Sequence, residues 1–482
     1  MTSREGNDSR RGNGTNGTRS RSRRPSEAEL RAVIEPLAKI ERLPTSSGER
    51  EAAHRIAGLL RDLGARDAVV EEEPAYASYA RPIGTLTALA ALAGLLAKRS
   101  RVAATLVAGA ATLGIADDIS YRGQYARRAL GGRPRSAYNV VASVGDPDAP
   151  RTLVVTAHHD AAPTGAVFDE RAARWVATRY PQLLDKASEN PPMWWPVVAG
   201  PALIALGAAT GLRGVRRAGI GLAAVSTAAF TQIGRSRAVP GANDNLSGVA
   251  VLVALAATLR DEPVDGVRVL LVSAGAEEAL QEGIRGFARR HFPELDRERT
   301  WFLNVDTVGS GNLVLLEAEG PLRMEPYDVP FNNLLSECAT RNDIAVLTGL
   351  RSRSSTDGVV PNRHGYPTAT LVSIDDQKLI PHYHLHTDLP EHVDYDCVAD
   401  ACALTEAAAR ALSPTEVPTP ADPPTRTDPP IRPQSPARPQ SPARTESPAR
   451  PQSPARTDSP APTDSSARTD PPAPTDPPTP AA

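Results

Sequence analysis

Five short segments of this 482-residue chain carry the residue types that bind metal ions and move protons. Each lies where an apolar, strand-like run should end and a loop begin. In chain order they supply His, Asp, Glu, Asp and His, with one Glu to spare. Zinc takes imidazole and carboxylate ligands, and one carboxylate can be shared, so this is the inventory for two zinc ions. The segments are 157–160 (AHHD), 240–248 (PGANDNLSG), 273–278 (SAGAEE), 304–309 (NVDTVG) and 382–388 (HYHLHTD).

Taken singly, these segments are weak signals with ordinary alternatives. His158 is a natural metal ligand, and Asp160 two residues later can hold its second ring nitrogen. Asp244 precedes a predicted helix, so helix capping is the alternative to a carboxylate that bridges two metals. Glu277 and Glu278 are adjacent carboxylates that repel each other unless a cation or proton intervenes, and a solvated pair is the alternative.

The last two segments add a carboxylate and a histidine. Asp306 follows the apolar run 301–305. Functional sites of open α/β sheets gather at such carboxyl ends of strands, which favours a metal ligand there. His382, His384 and His386 alternate, and on an extended segment they would share one face.

The elements around these segments predict an α/β fold with helices on both faces of a sheet. Ser26 and Ser47 are candidate N-caps for helices over 27–40 and 50–63, and 246–259 has helical periodicity. Short apolar runs alternate with such helical patterns, which is typical of α/β domains. The predicted strands are 68–70, 139–144, 152–157, 267–273, 301–305, 312–316 and 368–373.

Composition divides the chain into a globular region, 26–412, and two tails. Residues 1–25 are rich in Arg, Gly, Asn and Ser without an apolar run, which predicts a disordered basic tail and no secretory signal. Residues 413–482 repeat Ser every six residues among Pro and Ala, which predicts an extended, disordered tail. A net charge of −2 excludes a protein that coats nucleic acid, and three Cys exclude a disulfide framework.

Two hydrophobic hairpins, 82–118 and 193–233, interrupt the globular region. Each has two apolar runs without internal charge, joined at a basic tip. The 20-residue run 193–212 would span about 30 Å as a helix, the hydrocarbon thickness of a bilayer. We therefore expect the chain to contact membrane lipid through both hairpins at the cell membrane, with soluble hairpins packed on the domain as the alternative. Basic residues flank the runs on both sides, so the sequence does not determine which side the globular region faces.

The motifs as a set resemble the co-catalytic zinc aminopeptidases, the peptidase family that also includes glutamate carboxypeptidase and the transferrin receptor ectodomain. The resemblance covers 26–75, 137–165 and 236–410 and leaves both hairpins outside as insertions. It implies the mixed central sheet of zinc exopeptidases, a phosphorylase/hydrolase-like fold. The matches are 157–160 to GAHYD, 240–248 to PGADDNASG with Asn243 for the first Asp, 275–278 to GAEE, 304–306 to NLD, and 356–357 with 365–367 to SD…GIP with Gly358 where His is usual.

The resemblance also implies a role for each candidate residue. His158 and Asp306 would bind separate zinc ions, Asp244 would bridge two zincs per chain, and Glu278 would join one of them. Glu277 would be the general base for a water shared by the zincs, and Asp160 would support the site without binding metal.

The final metal ligand depends on the alignment. An ungapped match of 383–394 to the family's YHTPEDTPDKID selects His384. A match of the His-Thr pair selects His386 but requires a two-residue deletion.

The implied activity is hydrolysis of peptides from a free N-terminus by a membrane-associated zinc aminopeptidase. The alternatives are a carboxypeptidase or a glutaminyl-cyclase-like enzyme on the same fold, and a catalytically inactive binding protein. The complete ligand set together with Glu277 favours an enzyme. The sequence does not indicate which substrate side chain is preferred.

Overall fold

The computed structural model describes residues 22–120, 122–182 and 187–414. Nearly all of the two predicted tails, residues 1–21 and 415–482, lies outside these ranges. The boundaries predicted for the tails and the globular region therefore stay predictions.

An eight-stranded mixed sheet forms the centre of the described chain. Its strand order is β1-β2-β4-β3-β5-β11-β6-β9, and a small three-stranded sheet has the order β10-β7-β8. In the middle, β4, β3, β5 and β11 are parallel neighbours. The pairs β1–β2, β2–β4 and β11–β6 are antiparallel, and β9 pairs parallel with β6 at the edge. The strands are β1 (Arg66–Ala75), β2 (Arg135–Gly145), β3 (Arg151–His158), β4 (Val267–Ala274), β5 (Thr300–Val305), β6 (Asn312–Leu315), β7 (Ala318–Glu319), β8 (Glu325–Pro326), β9 (Val346–Leu347), β10 (Arg351–Ser352) and β11 (Thr368–Ile374).

Helices cover both faces of the large sheet, as the alternation of buried side chains along its strands requires. On β3, Leu153 and Val155 enter the larger core, while Val154 enters the smaller core on the opposite face. The predicted α/β fold with a mixed sheet is confirmed. Helices Glu27–Ala38, Ser47–Asp62, Leu246–Asp261, Val329–Arg341 and Tyr395–Ala411 contribute to the larger core, and Glu282–His291 and Val359–Arg363 to the smaller one; the short helices Tyr125–Leu130 and Arg171–Arg179 lie outside both.

The helix starts agree with the predicted caps except at one residue. The Ser26 side chain accepts a hydrogen bond from the Glu29 amide and completes a capping box, as expected. In the second helix Ser46, rather than Ser47, is the N-cap, and its side chain accepts from the Glu49 amide. The prediction was one residue late because either adjacent serine satisfies the sequence rule.

The two predicted hairpins pack together as one bundle of four helices. The helices are Ala80–Leu95, Arg101–Ile119, Trp195–Thr210 and Arg213–Ile233. Small side chains, including Ala90, Ala108 and Ala223, form the buried seam of the bundle around Ile204. At the tip, Arg101 Nε donates to the carbonyl of Ala208 at the end of the third helix, 2.7 Å away.

The loop between the two helices of the second hairpin is shorter than the basic run 213–217 suggested. Helix Arg213–Ile233 begins at the first basic residue, so the basic run lies in its first turns. Gly211 ends the preceding helix with φ +81°, a left-handed conformation that glycine adopts without steric cost.

Much of the bundle's apolar surface is not buried by the described part of the chain. By length and composition, Ala80–Lys98 and Arg101–Ile119 could each cross a membrane among the described residues, and only 39% and 33% of these segments are buried. Val102, Leu106 and Leu113 are each at least two-thirds exposed. The lower end of the bundle, opposite the basic tips, is different. Ile83, Ile115 and Phe230 there share a buried apolar cluster with Leu280 of the sheet domain, the described chain outside the bundle.

Candidate metal centre

Neighbouring strand ends bring the predicted residues together. His158 is the last residue of β3, Asp306 directly follows β5, and Glu277 and Glu278 follow β4 after a short turn. Because β4, β3 and β5 are adjacent and parallel, their carboxyl ends meet at one edge of the sheet. Asp244 reaches this edge from the loop before helix Leu246–Asp261. His384 arrives from the segment after β11, and all six side chains are buried.

Asp244 lies between two histidines and offers one carboxylate oxygen to each. Its Oδ1 is 3.2 Å from His158 Nε2, and its Oδ2 is 3.3 Å from His384 Nε2. A second carboxylate accompanies each imidazole. Asp306 Oδ2 lies 3.9 Å from His158 Nε2, and Glu278 Oε1 lies 3.2 Å from His384 Nε2. The donors therefore form two sets that share Asp244.

This grouping contradicts one detail of the sequence-based assignment. His158 and Asp306 were expected on separate metals, but they lie on the same side of Asp244. The reason is topological, since β3 and β5 are hydrogen-bonded neighbours and their last residues end side by side. Motif order along the chain does not contain this information.

The donor set fits a divalent metal. Donor atoms of His158, Asp244 and Glu278 all lie within 4.8 Å of one another. Among the described residues, Asp244 Oδ2 and Glu278 Oε1 are buried and accept no well-aligned hydrogen bond, although His384 Nε2 lies near both. Such burial is costly for carboxylate oxygens unless a cation compensates. Zinc is commonly bound by imidazole nitrogens and carboxylate oxygens, which are the donors at this site.

Burial and mutual repulsion dominate the electrostatics. Burial raises the pKa of Asp306 to about 7, and nearby carboxylates add to this effect. Burial also raises the pKa of Glu278. Burial lowers the pKa of the His384 imidazole, but the Glu278 and Asp244 carboxylates outweigh it and raise this pKa to about 10. Without a cation, the centre therefore retains protons to limit its excess of negative charge.

Glu277 occupies a position beside the donors. Its Oε1 accepts a hydrogen bond from Gln281 Nε2, and its side chain is only 8% exposed. Burial, followed by the neighbouring charges of Glu278, Asp357 and Asp306, raises the pKa of Glu277 well above its usual range. A buried carboxylate with a raised pKa beside a metal site can accept a proton near neutral pH.

Asp160 supports both the histidine and the turn that carries Glu277. Its two carboxylate oxygens accept the backbone amides of Glu277 and Glu278, each at 3.0 Å. His158 Nδ1 lies 3.2 Å from the Asp160 carbonyl oxygen and 3.5 Å from the carboxylate. The carbonyl is thus the nearer partner of the imidazole, whereas the sequence suggested the carboxylate.

Three buried charged residues around the centre were not singled out from the sequence. Asp388 Oδ1 and Oδ2 accept the amides of Asn243 and Asp244 at 2.8 and 3.0 Å. Arg42 Nε donates to the His159 carbonyl at 2.7 Å, and Glu49 accepts the Tyr138 amide at 2.8 Å. Asp388 closes the histidine-rich segment 382–388, so its position in that segment could have indicated a role at the site. Arg42 and Glu49 had none, because their partners are distant backbone groups.

The 382–388 segment is a series of turns rather than an extended strand. His382 and His384 have φ values of +60° and +55°, so the alternating histidines do not share a face. His384 enters the metal centre, His382 stacks on His392 with ring centroids 4.5 Å apart, and His386 is exposed. This geometry favours the ungapped alignment, which selected His384.

Comparison with known proteins agrees with the predicted family. Residues 226–409 match the model of Peptidase family M28. No curated protein matches the chain. Solved structures with similar folds include a leucine aminopeptidase precursor from Bacteroides thetaiotaomicron, 14% identical over 81% of this chain and 99% of that chain, with a TM-score of 0.47. A Tannerella forsythia glutaminyl cyclase is 14% identical over 80% of this chain and 98% of that chain, with a TM-score of 0.48.

The family prediction is confirmed over residues 226–409, which match Peptidase family M28. This matched region contains Asp244, Glu277, Glu278, Asp306 and His384. The described residues also include a His/Asp/Glu group that could hold a metal ion.

Proposed function

We propose that the chain is a zinc-dependent aminopeptidase that removes N-terminal residues from peptides. The observation that carries this proposal is the Asp244 carboxylate, which lies between His158 and His384 with a further carboxylate beside each imidazole. His158, Asp306 and Asp244 would hold one zinc ion, and His384, Glu278 and Asp244 would hold the second. When bound, two zinc ions supply Lewis-acid activation of water and of the scissile carbonyl.

The chain's own residues would supply proton transfer and orientation. Glu277 takes a proton from the attacking water and returns it to the leaving amine, which its raised pKa suits near neutral pH. Gln281 fixes the Glu277 carboxylate by donating to Oε1. Asp160 holds the amides of Glu277 and Glu278, so that the base and a metal ligand keep their relative positions.

Metal analysis combined with a substrate panel tests this function. The purified protein is assayed for zinc by inductively coupled plasma mass spectrometry and for hydrolysis of aminoacyl-anilides. We expect two zincs per chain and release of the anilide from substrates with a free amine. Cleavage only from a peptide C-terminus or cyclisation of N-terminal glutamine would replace the aminopeptidase by one of the other enzymes. Zinc without any turnover would indicate an inactive binding protein.

We also propose that the four-helix bundle embeds the protein in a membrane. The exposed apolar side chains on Arg101–Ile119 support this, because the described residues leave Val102, Leu106 and Leu113 largely uncovered, which is unfavourable in water. The intact protein should sediment with membranes and resist carbonate extraction. Recovery of the full chain in the soluble fraction without detergent would contradict membrane embedding.

A matched pair of variants separates lipid contact from general surface hydrophobicity. Leu113→Lys places a charge on the exposed face of the bundle, where Leu113 is 73% exposed. Val329→Lys places the same charge on the sheet domain, where Val329 is 64% exposed. We expect only Leu113→Lys to shift protein toward the soluble fraction, because a charge is costly in hydrocarbon and free in water. Equal fractionation of both variants would contradict the proposal.

A further inference from the structure

A buried ion cluster joins the lower end of the helix bundle to the turn that carries Glu277. Asp118 lies at the end of bundle helix Arg101–Ile119 and pairs with Arg127, whose Nε is 2.9 Å from Asp118 Oδ1. Arg127 Nη1 is 3.1 Å from Oε1 of Glu282. The side chains of Asp118 and Arg127 are 0% exposed, and that of Glu282 is 6% exposed. Glu282 follows the catalytic turn, residues 277–281, directly in the sequence.

Further hydrogen bonds tie the same arginine to the catalytic turn itself. Arg127 Nη1 also donates to the carbonyl oxygen of Ala279 inside the turn. Gln124 Nε2 donates to Glu282 Oε1 at 3.0 Å. Both donors come from the segment between the bundle and β2, which the family resemblance leaves outside. The contacts therefore connect an inserted part of the chain to residues beside the metal centre.

The catalytic turn needs such external support because its backbone is strained. Leu280 and Gln281 in the turn have φ values of +67° and +55°, and Ala276 directly before the turn has +50°. All three lie in the left-handed region that non-glycine residues seldom adopt. Strained conformations persist only where surrounding contacts determine them. Gln281 is also the residue that donates to the Glu277 carboxylate, so a change in its backbone would move the base.

Apolar packing reinforces the polar contacts at the same place. Leu280 is 7% exposed and belongs to the same buried apolar cluster as Ile83, Ile115 and Phe230 at the lower end of the bundle. Each of these three residues lies on a different bundle helix. The turn is thus held by the ion cluster on one side and by the ends of the bundle helices on another.

We propose that Arg127 is a positioning residue, which uses the ion cluster to hold the catalytic turn in the geometry required by Glu277 and Glu278. The inserted bundle then has a second role besides attachment, because its lower end completes the support of the metal centre. This inference rests on the proposed peptidase function for its effect on turnover. Its effect on metal affinity is independent of any substrate, because Glu278 belongs to the same turn.

Arg127→Met tests the proposal in the full-length protein purified in detergent. The variant removes the guanidinium while keeping an unbranched apolar side chain, and leaves Asp118 and Glu282 without their cation. We expect zinc affinity, measured by competition with a chelator, and kcat to fall about 10- to 100-fold, as for other residues that orient metal-site groups. KM should change little, because the Arg127 side chain is 0% exposed and therefore not accessible to a substrate. Gln124→Leu removes only the neutral donor to Glu282, and we expect the same changes at smaller size.

Leu335→Ala is the control for lost stability without lost positioning. Leu335 lies on helix Val329–Arg341 and is 1% exposed in the larger core. Its truncation destabilises the fold without altering a residue of the turn. Its zinc affinity and kcat should remain those of the unmodified protein. If Arg127→Met has the same zinc affinity and the same kcat as Leu335→Ala, the proposal is overturned. If Arg127→Met does not fold, Gln124→Leu decides by the same comparison. If the unmodified protein cleaves no peptide, the proposed function fails, and chelator competition still decides the positioning role.

Discussion

Glu277→Gln separates proton transfer from metal binding at the candidate centre. The substitution replaces a carboxylate oxygen by an amide group of the same size. The remaining carbonyl oxygen of the new side chain can still accept the hydrogen bond that Gln281 Nε2 donates to Glu277. The backbone amide at position 277 still donates to Asp160. The turn should therefore keep its geometry, and Glu278 should remain beside His384.

The expected magnitude follows from the loss of one general base. Such a loss costs about 10²–10⁴ in rate, or roughly 2.7–5.5 kcal/mol in activation free energy. The zinc content should stay at two per chain, because the donor atoms near the histidines belong to other residues. The assay compares kcat on an aminoacyl-anilide with zinc content by mass spectrometry. Loss of zinc would mean that Glu277 is a ligand, and unchanged kcat would mean that it is not the base.

Two further predictions concern individual residues. His384→Ala should lose one zinc and most activity, whereas exposed His386→Ala should keep both zincs; metal analysis checks this, and the reverse result would restore the gapped alignment. Burial raises the pKa of Glu319 from 4.5 to about 8, so the folded protein keeps a proton that the unfolded chain releases. The contribution of this protonated carboxyl to the free energy of unfolding is fully present below pH 4.5. It is lost as pH rises toward 8, because the unfolded chain gives up the proton first. The urea midpoint of Glu319→Gln should therefore fall less over this range than that of the unmodified protein, and parallel pH profiles would contradict this.

The elements that hold the site were largely predictable because local patterns determine them. The apolar runs before His158 and Asp306 are strands in the structure, each within one residue of the predicted start and end. Asp244, Glu277 and Glu278 lie in the loops that the change from apolar to polar residues indicated. Strand ends meet at one edge in a parallel sheet, so residue type and position were enough to assemble the candidates.

The relations between those candidates depend on topology and on distant backbone groups. Which carboxylate accompanies His158 follows from the strand order β4-β3-β5, and this order has no local sequence signal. The turns at 382–388 have left-handed residues without glycine, so alternation suggested an extended segment there. The His159 carbonyl that accepts from Arg42 and the Ala279 carbonyl that accepts from Arg127 are each more than 100 positions away in the chain. A single sequence does not indicate such partners.

A zinc titration of metal-free protein tests the central claim most directly. The protein is stripped with a chelator and then titrated with zinc while hydrolysis of leucyl-anilide and of N-acetyl-leucyl-anilide is followed. The two-zinc aminopeptidase predicts that activity on the free-amine substrate reaches its maximum at two equivalents, with no cleavage of the acetylated substrate. Full activity without zinc, or equal cleavage of both substrates, would contradict it.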